Sequence, residues 1–217
     1  MSDPASSAAM RPVPAMDAQA AGAARAALAA AVMVIAPVLL ATGRGLMLVP
    51  SAAGFTTLWT VTHVMFLGGT VLMIPAALAM HQLARGYARP WLRDLGLAIV
   101  FVGALALAAQ FVVDLMVAVL ANGDPRAGGA LFDRVQASAL VDVALYTVGP
   151  SLMFVGLIVQ AAALATVRAV RRWAVIALVV GPSVVGAGRV TGSALVELAG
   201  LVLIAIAMAA ASTCHLD

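Results

Sequence analysis

Residues 44–85 decide the fold, with the sequence RGLMLVPSAAGFTTLWTVTHVMFLGGTVLMIPAALAMHQLAR. The forty residues between the two end arginines include no Asp, Glu, Lys or Arg. A helix that crosses about 30 Å of hydrocarbon needs about 20 predominantly apolar residues. Similar apolar stretches fill most of the chain, which has a mean hydropathy of +1.10 and only 10% charged residues. The sequence therefore predicts an integral membrane protein.

Six apolar segments are long enough to cross a bilayer. Backbone N–H and C=O groups cannot be left unpaired in lipid, so each segment is predicted to be an α-helix. Alternating segments of about ten residues, typical of a membrane β-barrel, do not occur. The fold class is therefore all-α, a compact bundle of six transmembrane helices. The predicted spans are residues 25–43, 57–81, 94–120, 139–165, 172–188 and 191–212.

The transmembrane domain is predicted to cover residues 25–212, with a short tail before it and another after it in the chain. Residues 1–24 are rich in Ala, Pro and Ser and are expected to be disordered. Residues 213–217 form a short C-terminal tail that contains Cys214, the single cysteine of the chain. One cysteine excludes an intrachain disulfide and a cysteine-based metal cluster.

The arginines are distributed unequally between the two sides of the predicted bundle. An even number of spans places both termini on one side, and that side collects eight of the twelve arginines, mainly in the connections 82–93 and 166–171. Cytoplasmic loops of membrane proteins carry an excess of positive charge. The sequence therefore predicts a multi-pass protein of the cell (inner) membrane with its N- and C-termini in the cytoplasm. Because the arginines flank apolar spans, nucleic-acid binding is not predicted.

Two parts of the chain resemble each other. Residues 34–45 (VIAPVLLATGRG) align without gaps to residues 179–190 (VVGPSVVGAGRV), and residues 67–79 resemble residues 198–210. The segment 154–165 has the same pattern of small residues. Transporters are often built from repeats, although Ala/Val/Gly-rich sequences also align by chance. A duplicated helical hairpin is therefore one explanation of the pattern.

Ionisable residues inside membrane spans are costly and often functional, so they supply the candidate site. His63, Asp114, Asp142 and Glu197 all fall within about 10 Å of the outer interface when counted along their helices. Gln110 shares a helix face with Asp114, and Tyr146 shares one with Asp142. The predicted ion, proton or solute site comprises His63, Gln110, Asp114, Asp142, Tyr146 and Glu197.

Three explanations of this polar group remain open at this point. The carboxylates and His63 can form an outward-facing site for a proton or small cation, coupled to solute movement. The same groups can instead lock the bundle through buried ion pairs, with Arg44 or Arg189 as partners. Asp142 can also simply lie at the membrane interface, where it needs no partner.

A heme site is a further hypothesis, based on two histidines of one span. His63 and His81 are eighteen residues apart, so they share a helix face about 27 Å apart. Membrane cytochromes that hold two hemes place their ligands at opposite sides of the bilayer in this way. A methionine or a second protomer would have to supply the other axial ligands. The cofactor is therefore left open.

Motifs for other chemistry are missing from the sequence, so no catalytic residue is predicted. The chain contains no HExxH, GxSxG or Walker lysine motif and no paired acidic motif for polyprenyl phosphates. The predicted function is transport or binding of a proton, cation or small solute. The alternatives are an accessory subunit of a larger membrane complex, a heme-binding cytochrome and an intramembrane enzyme. The expected partners are the lipid bilayer and either a larger complex or further copies of the chain.

Overall fold

The computed structural model describes residues 15–50 and 56–215, and within these ranges all regular structure is helical. Six helices are long and apolar enough to cross a membrane, which confirms the predicted bundle. The helices are α1 (Ala15–Leu46), α2 (Thr57–Leu83), α3 (Pro90–Ala121), the short α4 (Pro125–Gln136), α5 (Ala139–Leu164), α6 (Arg172–Thr191) and α7 (Ala194–Ser212).

The first helix begins at Ala15, upstream of the start predicted at residue 25. Residues 15–24 are mainly alanine, which has the highest helix propensity of all residues, so they extend the apolar helix toward its N-terminus. The rest of the predicted N-terminal tail, residues 1–14, lies outside the described residues, as do residues 216–217.

Helix α4 was not predicted, because its composition is too polar for a membrane span. Its start is nevertheless encoded locally: the Asp124 side chain accepts a hydrogen bond of 2.8 Å from the backbone N–H of Arg126, and Pro125 occupies the first helical turn. Both are common signals of a helix N-terminus. The long connection between α3 and α5 is therefore structured.

Helix α5 contains a wider π-helical turn at Asp142–Thr147. The backbone N–H of Val148 donates to the carbonyl of Val143, five residues earlier instead of four. Pro150 follows and has no N–H of its own, so it cannot continue the regular ladder into this turn. Inserted turns of this kind are often found at functional sites.

The six transmembrane helices form a closed ring. They pair as a first hairpin (α1 and α2), a second hairpin (α3 and α5) and a third hairpin (α6 and α7). The second helix of each hairpin packs against the first helix of the next, and α7 packs against α1 to close the ring. This order gives an approximate threefold arrangement about an axis along the bundle.

Glycine contacts hold the first hairpin together. A Cβ atom at Gly69 would lie 2.9 Å from Leu40 Cγ and 3.0 Å from the Ala36 carbonyl oxygen. One turn away, a Cβ atom at Gly43 would lie 2.9 Å from the ring of Phe66. Apolar side chains are as favourable in contact with lipid as in contact with another helix, so the hydrophobic effect does not associate membrane helices. Close packing of their backbones does.

The third hairpin repeats these contacts at the positions that the sequence alignment pairs. A Cβ atom at Gly200 would lie 2.7 Å from Val185 Cγ2 and 2.7 Å from the Gly181 carbonyl oxygen, and one at Gly188 would lie 2.7 Å from Glu197 Cγ. Each residue corresponds by alignment to its counterpart in the first hairpin. The resemblance between the two sequence segments therefore reflects the same packing.

The second hairpin uses the same pattern, which the sequence suggested only for α5. Gly156 faces Val100 and the Gly96 carbonyl oxygen, and Gly103 faces the backbone of Met153. The spacings between these residues equal those in the other two hairpins. The bundle is thus built from three copies of one hairpin packing motif.

Candidate functional site

A cavity of about 180 Å³ lies at one end of the ring, inside the bundle. In the first and third hairpins this level lies near the C-terminus of the first helix and the N-terminus of the second. In the second hairpin it lies near the middle of α3 and α5. All six transmembrane helices contribute side chains to the wall. The arginine-rich connections lie at the opposite end of the bundle.

One wall of the cavity is charged. Arg44 Nε of α1 lies 3.0 Å from Glu197 Oε2 of α7, and the two side chains are 21% and 15% exposed. The N–H of this nitrogen does not point at the oxygen, so the contact is an ion pair and not an aligned hydrogen bond. Arg189 of α6 lines the same wall and interacts electrostatically with both groups. Of the two guanidinium groups near this carboxylate, Arg44 forms the ion pair and Arg189 lies farther away.

The opposite wall is apolar and rich in aromatic rings. Phe66 and Phe111 stack with their ring centroids 5.1 Å apart. Phe154, Met153 and Leu107 complete this part of the lining. The cavity therefore combines a cationic side with an apolar side that can hold the body of a small molecule.

His63 lies where these two walls meet and is almost fully buried. Its Nδ1 atom lies 2.8 Å from the Trp59 carbonyl oxygen, which can only accept, so Nδ1 carries a proton. The imidazole stacks on the Trp59 ring at 3.6 Å and meets Phe66 and Phe111 edge-on. These contacts fix the orientation of the ring and leave Nε2 free to act as an acceptor when the ring is neutral.

Asp114 faces this Nε2 atom from α3. Its Oδ2 atom lies 3.8 Å from His63 Nε2, too far for a direct hydrogen bond but within ion-pair distance of a protonated imidazole. Its Oδ1 atom accepts a hydrogen bond of 2.8 Å from the hydroxyl of Tyr146 on the π-helical turn of α5. Gln110, one helical turn away, lies within reach of the same carboxylate and lines the cavity.

Five of the six predicted site residues meet at this end of the bundle. His63, Gln110 and Glu197 line the cavity. Asp114 contacts His63, and Tyr146 donates a hydrogen bond to Asp114. Asp142 does not line the cavity. It lies eleven residues before Met153, where α5 first meets the cavity wall, and is therefore about 15 Å away along the helix.

The carboxylates do not converge as ligands of one cation. Glu197 is paired with Arg44, and Asp114 is engaged by Tyr146. Among the described residues, no three His, Cys, Asp or Glu side chains come together as a metal site. The charge of the cavity wall instead favours a negatively charged or hydrogen-bond-accepting group.

His81 lies near the other end of α2, separate from the cavity. Its Nε2 atom contacts Asp94 Oδ1 at 2.8 Å, and Arg93 contacts the same oxygen at 3.1 Å. An aspartate thus faces the Nε2 atom of both histidines proposed as heme ligands. Heme ligation through Nε2 would displace these contacts, so the geometry does not add support to that hypothesis.

Two residues of the site were not predicted as ligand-binding groups. Arg44 and Arg189 were considered only as partners of acidic side chains, because each lies close to the predicted end of its span. The Gly-Arg pairs at 43–44 and 188–189, which match in the repeat alignment, were the available signal. The chain matches no protein-family model, no curated protein and no solved structure.

Proposed function

We propose that this membrane protein binds and transports a small solute with an anionic head and an apolar body. The observation that carries the proposal is the cavity to which all six transmembrane helices contribute, with Arg44 and Arg189 on one wall and aromatic rings on the other. Arginine is well suited to recognise carboxylate and similar anions because its planar guanidinium offers several donors.

The size of the cavity limits the solute. A buried apolar cavity of about 150 Å³ is known to hold benzene. The cavity described here measures about 180 Å³, so it suits a molecule of one small ring or a short aliphatic chain with a charged head. Glu197 would then compete with the ligand for the two arginines and so keep binding reversible.

The pair of His63 and Asp114 gives a place for a proton beside the bound solute. A neutral His63 presents a lone pair to a carboxylate oxygen at 3.8 Å, and one added proton makes this contact favourable. Solute binding would be linked to this proton because both lie next to the same cavity. This retains the proton site that the sequence predicted and replaces the cation by an anion.

Thermal unfolding of the purified protein in detergent tests the solute class. Benzenesulfonate and benzyltrimethylammonium are suitable probes because they are similar in size and permanently charged with opposite sign. A ligand that binds the folded state raises its stability in proportion to the logarithm of its concentration above Kd. We expect benzenesulfonate to raise the unfolding midpoint by several degrees and the ammonium compound to have no effect.

Two arginine variants control this measurement. Arg189→Gln should abolish the shift produced by benzenesulfonate, whereas Arg168→Gln, in the connection at the opposite end, should preserve it. An equal shift by both probes, or a shift that survives Arg189→Gln, would contradict the proposed solute class.

We further infer that the cavity faces the outside of the cell membrane and that both termini are cytoplasmic. The excess of arginine at the opposite end supports this orientation. Single cysteines at positions 130 and 88, in a Cys214→Ser background, test it with a reagent that does not cross membranes; Ala130 is exposed on α4. Position 130 should react from outside and position 88 should not; the reverse pattern would overturn the orientation.

The accessory-subunit alternative remains a second proposal, since connections that are short except between α3 and α5 suit lateral packing against another membrane protein. Purification in mild detergent discriminates between the two. A stoichiometric second chain would favour the subunit, whereas a monomer or homo-oligomer that binds benzenesulfonate would favour the transporter. An absorption spectrum of the same sample would show a Soret band if heme is bound.

A further inference from the structure

We propose that the solute crosses the membrane along the axis of the helix ring, and that Met73, Gln160 and Ile204 form the gate that closes this route below the cavity. This inference rests on the proposed solute binding and adds a path and a barrier to it. It follows from the threefold packing motif, which places equivalent residues of the three hairpins at the same level.

The second helices of the hairpins show these levels. Counting from the shared glycine contact, the equivalent residues of the first level are Phe66, Met153 and Glu197, and all three line the cavity. Seven residues further, two helical turns or about 10 Å deeper, the equivalent residues are Met73, Gln160 and Ile204. These three side chains are between 0% and 2% exposed, so the bundle is closed at this level.

Gln160 makes this closed level unusual. Its Nε2 atom donates to the Ala77 carbonyl oxygen of α2 at 3.2 Å, so the side chain reaches from the second hairpin to the first. Its Oε1 atom is buried and has no hydrogen-bond partner. An unsatisfied amide oxygen in a membrane core is costly unless water or a passing polar group can reach it.

Thr70 lies between the cavity and Gln160 and shows the same property. Its hydroxyl is fully buried and has no hydrogen-bond partner. The other buried hydroxyls of the described residues, those of Thr62 and Ser212, donate to carbonyls of their own helices. Two unsatisfied polar atoms thus follow the cavity toward the opposite end of the bundle, where a polar solute or water would meet them.

The chemistry of the gate suits transient opening. Methionine is unbranched and flexible, so Met73 can move aside without strain in its backbone. The Gln160–Ala77 hydrogen bond spans two hairpins, and a small movement of one hairpin relative to the next would break it. Such a movement would connect the cavity with the arginine-rich end.

Thiol accessibility tests the route directly. In a Cys214→Ser background reconstituted into liposomes, Ile204→Cys and Met73→Cys place a thiol in the gate. Val202→Cys on the same helix is the matched control, because Val202 is 42% exposed on the outer face of the bundle and faces lipid. A small, charged methanethiosulfonate reagent requires water to reach its target.

We expect the reagent to modify the cysteines at 204 and 73 at least tenfold faster than the one at 202, and benzenesulfonate to alter that rate. Equal rates at 204, 73 and 202 would overturn the route. Solute binding is measured separately by thermal unfolding of the same variants. Bound benzenesulfonate with an unreactive gate would reject the route alone, whereas no binding with a reactive gate would reject the proposed solute.

Discussion

The second hairpin differs from the first and third in its chemistry, although all three share one packing motif. The first and third hairpins carry Arg44 and Arg189 at equivalent positions, each directly after a glycine that packs against the partner helix. The second hairpin has Ala104 at this position. Among the residues that the structure describes, an inserted helix (α4) and the π-helical turn that presents Tyr146 to Asp114 occur in the second hairpin only.

This difference indicates that the repeated residues build the ring and the unrepeated residues build the site. Glycines recur where two helices approach closely, and at Gly103 the nearest atoms of the partner helix are backbone atoms. A binding site for an asymmetric solute instead needs different groups around it, which requires the copies to diverge. Variants can separate these two roles.

The largest effect is expected for Gly103→Ala, which breaks the motif in the second hairpin. The added methyl group would overlap the backbone nitrogen of Met153, and a backbone cannot move aside as a side chain can. We expect the variant to lose about 3 kcal/mol of stability, at the upper end of overpacking effects. Thermal unfolding in detergent measures this loss.

The equivalent change Gly43→Ala is the control. Its methyl group would meet mainly the ring of Phe66, a side chain that can rotate away, and alanine is the better helix former by about 1 kcal/mol. The free energy of unfolding should therefore stay within about 1 kcal/mol of the wild type. Equal losses in both variants would show that the hairpins are not packed as described.

The next largest effect is expected for Glu197→Gln, which removes the carboxylate that pairs with Arg44 and lines the cavity with Arg189. Arg44 then loses its charged partner, at a cost of about 1–3 kcal/mol because the pair is mostly but not fully buried. The same variant should bind benzenesulfonate more tightly, since the ligand no longer competes with Glu197. Weaker binding would indicate that Glu197 itself holds the ligand.

A smaller effect is expected for Tyr146→Phe, which tests the feature specific to the second hairpin. The variant loses the 2.8 Å hydrogen bond to Asp114, which is worth about 1.5 kcal/mol when the acceptor is charged. Tyr87→Phe is the control, since this tyrosine is 62% exposed. If both variants unfold at the wild-type temperature, the contact does not contribute to stability.

The smallest effect is expected for Thr70→Val, which replaces the unpartnered buried hydroxyl by a methyl group of similar size. No hydrogen bond is lost, so stability should remain unchanged or rise by up to about 1 kcal/mol. Thr62→Val, which loses a 2.8 Å hydrogen bond to the Leu58 carbonyl, should instead be less stable than the wild type. A destabilised Thr70→Val would mean that the hydroxyl has a partner such as bound water.

Much of the candidate site followed from counting residues along helices. A regular helix rises by a constant amount per residue, so the depth of a side chain in the membrane can be counted from the end of its span. This count predicted a similar depth for His63, Gln110, Asp114 and Glu197. Asp142 was expected at the same depth, but α5 meets the cavity only at Met153, eleven residues further along the chain. The pairing of Arg44 with Glu197 also depends on which helices become neighbours, and these two belong to opposite ends of the chain.

The sequence by itself determined that the chain lies in a lipid bilayer, how many spans it has and that each span is helical. Lipid cannot hydrogen-bond to the backbone, so every backbone group of an apolar segment must be paired within the segment. Only the tertiary structure decided the closed ring of three hairpins, the position of α4 and the charge of the cavity. These depend on contacts between helices, and in lipid such contacts are set by the shapes of small residues rather than by hydrophobicity, which is nearly uniform along the chain.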